Sequence, residues 1–253
     1  MKVSFIFLIL SHIHFTAYAN SAYRYPYESS EAAAIRVLGA IPENSMSAYS
    51  TKKHFHDLNF QSVPQWSFEQ LFNYFYYVRD LQFLEDPNKL VSARRLSWMY
   101  PDHGCWIRAQ LMNYIFKQLG VPPLAKVFIY GNLKVDTFFS PRRSVSWWYH
   151  VIPMVRVDNE IFVVDPAIEI TRPLLFTEWA GRQGDIQNHL TFAVCHPQTY
   201  GPRDDCFQPT KNSDKSAFSS ISSYLSSETS RLKALGLDPK TYLDAHPPWP
   251  ERH

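Results

Sequence analysis

"PDHGCWIRAQLMNYIFKQLG", residues 101–120, sets a cysteine behind a glycine at the front of a helical run. Ala109, Met112, Ile115, Phe116 and Leu119 recur at helical spacing. Gly120 supplies a stop, and Pro122-Pro123 prevent continuation. The run predicts one helix beginning at Cys105, with Asp102 as its N-cap and Gly104 allowing a tight turn. A thiol placed there meets unpaired backbone N–H groups and the positive end of the helix, which favour the thiolate. The same N–H groups suit an oxyanion formed on a substrate carbonyl. The bland alternative is a thiol packed as a small hydrophobe.

Downstream the period changes. "KVFIYG" (126–131), "VSWWYHVIPMVRV" (145–157) and "EIFVVD" (160–165) read as strands. "NLKVDTFFSPRRS", between the first two, reads as a long loop or a distorted hairpin. A two-residue turn at Asp158-Asn159 pairs the last two strands so that Ile152 faces Asp165. His150 shares the face of Ile152 and becomes a diagonal neighbour of Asp165, within reach of an imidazole–carboxylate hydrogen bond. Pro153 cannot donate to a ladder, which predicts an edge strand or a bulge there, and a one-residue bulge would turn His150 to the other face. Singly, a histidine in an aromatic strand is usually structural, and an aspartate before proline usually forms a turn. Jointly, the three residues supply a nucleophile, a base and an orienter.

Helix cysteine, strand histidine, strand aspartate is the chain order of the papain-like and transglutaminase-like superfamily. The match goes further. "RRLSWMYPDHGCWIRA" (94–109), the histidine of "SWWYHVIPMV" and the aspartate of "IFVVDPAI" resemble the bacterial protein-glutaminase family. The resemblance implies an α+β, transglutaminase-like fold, with helices on an antiparallel sheet and the catalytic cysteine at a helix N-terminus. It implies Cys105 as nucleophile, His150 as base and Asp165 as orienter. It also implies a protein or peptide substrate, whose glutamine side chains are hydrolysed to glutamate and ammonia through a γ-glutamyl thioester. Trp106, Trp147, Trp148 and Tyr149 are candidates for the walls of the substrate slot, with core packing as their alternative role. A transglutaminase, a cysteine peptidase or a non-catalytic binding module on the same scaffold are the competing readings.

The chain start reads as a signal peptide over residues 1–19. Lys2 is the positive region, "VSFIFLIL" the apolar core and Ala17-Tyr18-Ala19 the cleavage site. The expected product is secreted or periplasmic, in an oxidising compartment. Residues 20–62 then form an N-terminal extension or a short propeptide, and 63–253 the catalytic domain. Of three cysteines, Cys195 and Cys206 flank the polar segment "HPQTYGPRDD" as a local disulfide. Cys105 is left as a free thiol, expected to alkylate readily.

Composition excludes several classes. A net charge of +2 over 253 residues gives no footprint for nucleic acid or a membrane face. Eight glycines and no phosphate-cradling loop leave no nucleotide fold. His54 and His56 in "KHFHD" lack a third ligand, so no metal and no cofactor are expected, and the protein is read as a monomer. "SFEQLFNYFYYVRDLQFL" (67–84) is a helix with a Ser67/Gln70 capping box and a core stripe of Phe68, Leu71, Phe72, Phe75, Val78 and Phe83. Asp86-Pro87 reads as a further helix start, and Arg94 and Arg95 as solvated or ion-paired. "ITRPLLFTEWAGRQ" (170–183) is partly helical. The serine-rich run 219–230 is read as a polar-faced helix, because Phe218, Ile221, Leu225, Leu232 and Leu235 keep helical spacing. "HPPWPERH" at the end is irregular.

Overall fold

Seven strands make two sheets among the described residues of the computed structural model, which are 22–42, 44–81, 84–86, 89–93 and 96–243. The leader, Phe83, Arg94, Arg95 and the final eight residues lie outside them. β1 (Leu84–Asp86) and β2 (Lys89–Ala93) form a hairpin of their own. Asp86, expected to open a helix with Pro87, therefore ends a strand instead; Pro87 itself is outside the described residues. An Asp-Pro pair makes a turn as readily as a helix start.

The other five strands form one antiparallel sheet. β3 (Ala125–Asp136) and β4 (Ser144–Val157) are its long centre. β5 (Glu160–Val163) and β6 (Leu174–Leu175) extend one side, and β7 (Thr191–Cys195) the other, in the order β6-β5-β4-β3-β7. The segment expected as a loop or distorted hairpin is the latter. β3 runs on to Asp136 through a register shift between Tyr130 and Leu133. Gly131 makes this possible: its φ is 148°, and a Cβ there would meet Leu190 Cδ2 at 2.8 Å and the His189 carbonyl at 2.9 Å.

The β4–β5 turn holds the expected register, with Val157 opposite Glu160 and Met154 opposite Val163. Pro153 neither bulges nor marks an edge, since β4 lies between β3 and β5. Its carbonyl accepts from Val164 N at 3.1 Å, so its missing donor faces the point where β5 ends. The parity that places His150 is kept.

Helices cover the sheet. α1 (Ser30–Leu38), capped by Ser29, packs on β3 and β4 through the buried Ala33, Ala34 and Leu38. The sequence reading shows no period there, because three consecutive alanines carry little amphipathic contrast. Just before it, residues 22–24 lie beside β4: Trp148 N donates to Ala22 O at 3.1 Å, and Arg24 N to Ser146 O at 3.3 Å. α2 (Phe68–Asp80) has the expected capping box and buries Leu71, Phe75 and Val78, while Phe68 is exposed at its solvent-facing start.

α3 (Cys105–Gln118) packs on β4, and α5 (Ser213–Ala234) packs on α3. Pressed between sheet and helix, α3 is buried nearly all round, whereas Leu119, read as core, is exposed just past its end. α4 (Phe176–Gly181) stands beside β5 and β6, and α6 (Pro239–Tyr242) follows α5. The serine-rich stretch is indeed helix. Ser219, Ser220, Ser223, Ser226 and Ser227 donate their hydroxyls to carbonyls three or four residues earlier, which meets their hydrogen-bonding need without breaking the turn. Trp98, Trp147, Trp148, Trp179, Phe128 and Phe192 are fully buried. At about 2–3 kcal/mol for each large side chain removed from water, such rings dominate the core.

Candidate active site

α3 begins where the sequence placed it, but its cap is different. Gly104, not Asp102, is the N-cap, in the left-handed conformation with φ 79°. Asp102 is occupied elsewhere: its carboxylate accepts from Arg231 Nη1 at 2.7 Å and its carbonyl from Trp147 Nε1 at 3.1 Å. A Cβ at position 104 would meet the Tyr224 ring at 2.8 Å, so both backbone and space demand glycine. Among the described residues no side chain caps the helix, and the Gly104 carbonyl accepts from Ile107 N and Arg108 N. The first N–H groups, those of Cys105 and Trp106, thus keep no side-chain acceptor.

Cys105 is the free cysteine, and Cys195 and Cys206 are joined as a disulfide. The thiol is less accessible than expected: Cys105 is 2% exposed. Tyr224 of α5 lies against Gly104 and edge-on to Trp106, with ring centroids 6.1 Å apart, and so helps to close the mouth of the helix.

The strand pair brings His150 and Asp165 together. Their Nε2 and Oδ2 atoms are 2.8 Å apart, and both residues are buried. An ionised carboxylate can only accept, so Nε2 carries the proton. The other ring nitrogen, Nδ1, is buried with no hydrogen-bond partner among the described residues and is the one left for Cys105. Burial works against charging the imidazole. The Asp165 carboxylate, by charge and by hydrogen bond, and the Cys105 thiol after it, outweigh burial and lift the His150 pKa to about 9. Burial also works against the Asp165 charge. His150, the Trp179 indole and the more distant Arg108 overcome it and hold Asp165 below the ordinary carboxylate range.

Two further aromatic residues fix this pair. Trp179 Nε1 donates to Asp165 Oδ2 at 2.8 Å, and Ala167 N donates to Oδ1 at 3.2 Å. The Trp147 ring stacks on His150, with centroids 4.8 Å apart and planes 12° from parallel. Trp179 is absent from the sequence reading because its donor comes from α4, and no spacing links that helix to Asp165. Of the other slot candidates, Trp106 stands at the helix start. Trp148 and Tyr149 are sunk in the core, Trp148 against Tyr49, Tyr130 and Tyr149.

The arrangement offers a buried thiol at the start of a helix and an imidazole whose Nε2 is held by a carboxylate, with the Trp147 ring stacked on it. Residues 69–183, which contain Cys105, His150 and Asp165, match a family model described as glutaminase. No curated protein matches the chain. Among solved structures, one similar to it is a crystal structure of a protein-glutaminase, at 21% identity over 61% of this chain and 87% of that one, with a TM-score of 0.46. A protein-glutaminase from Chryseobacterium proteolyticum, solved by NMR, is 22% identical over 61% and 84%, with a TM-score of 0.45. A crystal structure of a pro-protein-glutaminase is 20% identical over 71% and 66%, with a TM-score of 0.47.

Proposed function

We propose, from the premise that residues 69–183 belong to the glutaminase family, that this enzyme hydrolyses the side-chain amide of glutamine held in a protein or peptide. The observation that carries the reading is the His150–Asp165 hydrogen bond, which leaves Nδ1 of the same ring for Cys105. The ring nitrogens are used in the opposite sense to the serine-protease triad, but with the same division of roles.

Cys105 as thiolate attacks the carboxamide carbon. The N–H groups of Cys105 and Trp106 receive the oxyanion, each positioned donor contributing about 3 kcal/mol. His150 as imidazolium gives its Nδ1 proton to the leaving nitrogen, which departs as ammonia and leaves a γ-glutamyl thioester. The neutral ring then takes a proton from water, whose oxygen attacks the thioester carbon. Glutamate forms, and the thiol is restored. Asp165 keeps the ring in register throughout, itself held by Trp179 and Ala167 N–H.

The protein works outside the cytoplasm in this reading, which the leader sequence and the Cys195–Cys206 disulfide support. Among the described residues no helix is long and apolar enough to cross a membrane. The burial of Ala22, Ala33, Leu38 and Ala48 in the common core supports residues 22–62 as part of the mature enzyme.

The test is peptide mapping of a glutamine-rich protein after incubation with the purified enzyme. Deamidation at specific glutamines, with ammonia released and the backbone intact, is the expected result. Backbone cleavage would make it a peptidase, and isopeptide cross-links a transglutaminase. No covalent change across varied substrates would make it a binding module.

A further inference from the structure

A cleft of about 560 Å³ lies between residues 23–27, residues 140–146 and Arg231 of α5. Its walls carry four cations, Arg24, Lys134, Arg142 and Arg231, against one carboxylate, that of Asp102. Asp102 is already held by Arg231 Nη1 at 2.7 Å. Glu28, just past the cleft, is bound by Arg36 at 2.7 Å and by Tyr25 N at 2.9 Å. Asp136 shares the β3 face of Lys134 and, counted in, still leaves four cations against two carboxylates. Arg24 uses Nη1 on a neutral partner, the Glu28 carbonyl at 2.6 Å, and its Nε is buried with no partner among the described residues. Lys134 and Arg142 are exposed. Like charges gathered in a concave wall raise the local potential, and the low dielectric behind them focuses it outward.

The cleft adjoins the chemistry. Asp102 stands three residues before Cys105, so their Cα atoms are at most about 11 Å apart. Its carbonyl accepts from Trp147 Nε1 at 3.1 Å, and the same indole stacks on His150. The Tyr23 ring stacks on His103, two residues before Cys105, with centroids 6.0 Å apart. An extended peptide advances about 3.3 Å per residue. Residues three or four positions from a glutamine held at Cys105 therefore reach the cleft. Tyr25 is 52% exposed and Tyr27 fully so, and both line it. Exposed tyrosines suit a peptide partner, since each offers apolar area and a hydroxyl together.

We propose that this cleft binds acidic residues flanking the target glutamine, so that the enzyme selects glutamines in aspartate- and glutamate-rich stretches of its substrate protein. This rests on polypeptide glutamine as the substrate. Binding is read in a protein without the Cys105 sulfur, so the two can fail separately.

The experiment titrates labelled peptides into Cys105→Ala protein by fluorescence anisotropy. The peptides share one length and one glutamine, flanked by glutamate, serine or lysine. At low ionic strength the glutamate peptide binds about tenfold tighter than the serine peptide, and the lysine peptide weaker than both. The preference shrinks in 1 M salt, where the Debye length is about 3 Å. Reversing two exposed charges, Lys134→Glu with Arg142→Glu, removes or inverts the order. In the active enzyme the same order appears in kcat/KM and is carried by KM. Equal Kd for the three peptides, or an order that survives both salt and charge reversal, would overturn the proposal. Acidic-peptide binding that appears only after removal of residues 244–253 would assign the cleft to the chain's own end and overturn it too. Ordered binding with no peptide deamidated by the active enzyme keeps the cleft as an acidic-peptide site and removes the glutamine reading.

Discussion

α3 passes through two buried polar centres built to different rules. At its first turn stand Cys105 and Arg108, facing His150 and Asp165. Farther along, Gln110 and Asn113 meet β3 and the loop after β7. In that second centre Lys126 Nζ donates to Gln110 Oε1 at 2.5 Å and to Thr199 O at 2.8 Å. Gln110 Nε2 donates in turn to Asp214 at 2.6 Å. Asn113 Nδ2 donates to the carbonyls of Leu124 and Pro197, and its Oδ1 accepts from Leu124 N. The polar atoms of these three side chains are paired. In the first centre, Nδ1 of His150 and two nitrogens of Arg108 have no partner among the described residues. Buried groups without partners are costly. A saturated network defines a shape; an unsaturated one keeps hydrogen-bonding capacity for a reacting molecule.

The sharpest way to break this contrast is to remove the sulfur. Cys105→Ala should take ammonia release to background with the melting temperature and circular dichroism kept, since a saturated second centre does not depend on the first. Residual turnover would mean another nucleophile. Asp165→Asn should fold and lose about 10²- to 10⁴-fold in kcat, because the ring loses the anion that fixes its tautomer. A loss below threefold in steady-state assays would put Asp165 outside the mechanism.

Changes near the second centre should act on stability and not on chemistry. Lys126 stands opposite Cys195 in the β3–β7 ladder, and the disulfide clips the loop that follows. Replacing Cys195 and Cys206 by serine should cost about 3 kcal/mol in chemical unfolding, with kcat unchanged in the folded fraction. Asn113→Ala leaves the Leu124 N–H and carbonyl unpaired, and should cost about 2 kcal/mol. If it lowers kcat at saturating substrate instead, the two centres are coupled and the contrast dissolves.

The smallest effect concerns pH. The folded His150 pKa of about 9 is above the ordinary 6.5, so its contribution is complete below 6.5 and lost as pH climbs through 9. Lys126 has the opposite sign. Burial lowers its pKa from 10.5 to about 7, so the fold gains stability as pH rises from 7 towards 10.5. Between pH 7 and 9 the two oppose each other. Melting temperatures of Lys126→Met should therefore fall more steeply over that interval than those of the wild type. Equal slopes would show that Lys126 keeps its proton in the fold throughout that interval.

The legible parts of the molecule were those that repeat. The β4–β5 register follows from a two-residue turn and strict alternation, and it placed His150 against Asp165 correctly. The start of α3 follows from Gly104, Gly120 and the apolar spacing. The less legible parts depend on contacts between distant segments. Trp179 and Ala167 N–H reach the site from other elements. Asp102 is diverted from capping by Arg231, which is 129 residues away along the chain. β7 is short, and its pairing with β3 rests on a neighbour that no local pattern reveals. Alanine-rich α1 lacks amphipathic contrast, and its place is set by the sheet it covers.

The burial of Cys105 bears on how the protein ages. A sulfur at an electropositive helix start is just the kind that peroxide converts to sulfenic and then sulfinic acid, and that second step is not reversed by ordinary thiols. At 2% exposure the sulfur is shielded from dilute oxidant, with Tyr224 lying against Gly104 at the helix start. On the proposed function, a docked substrate protein holds the sulfur accessible, an advantage that dilute peroxide lacks. A variant that exposes Cys105 should therefore oxidise sooner in air than the wild type.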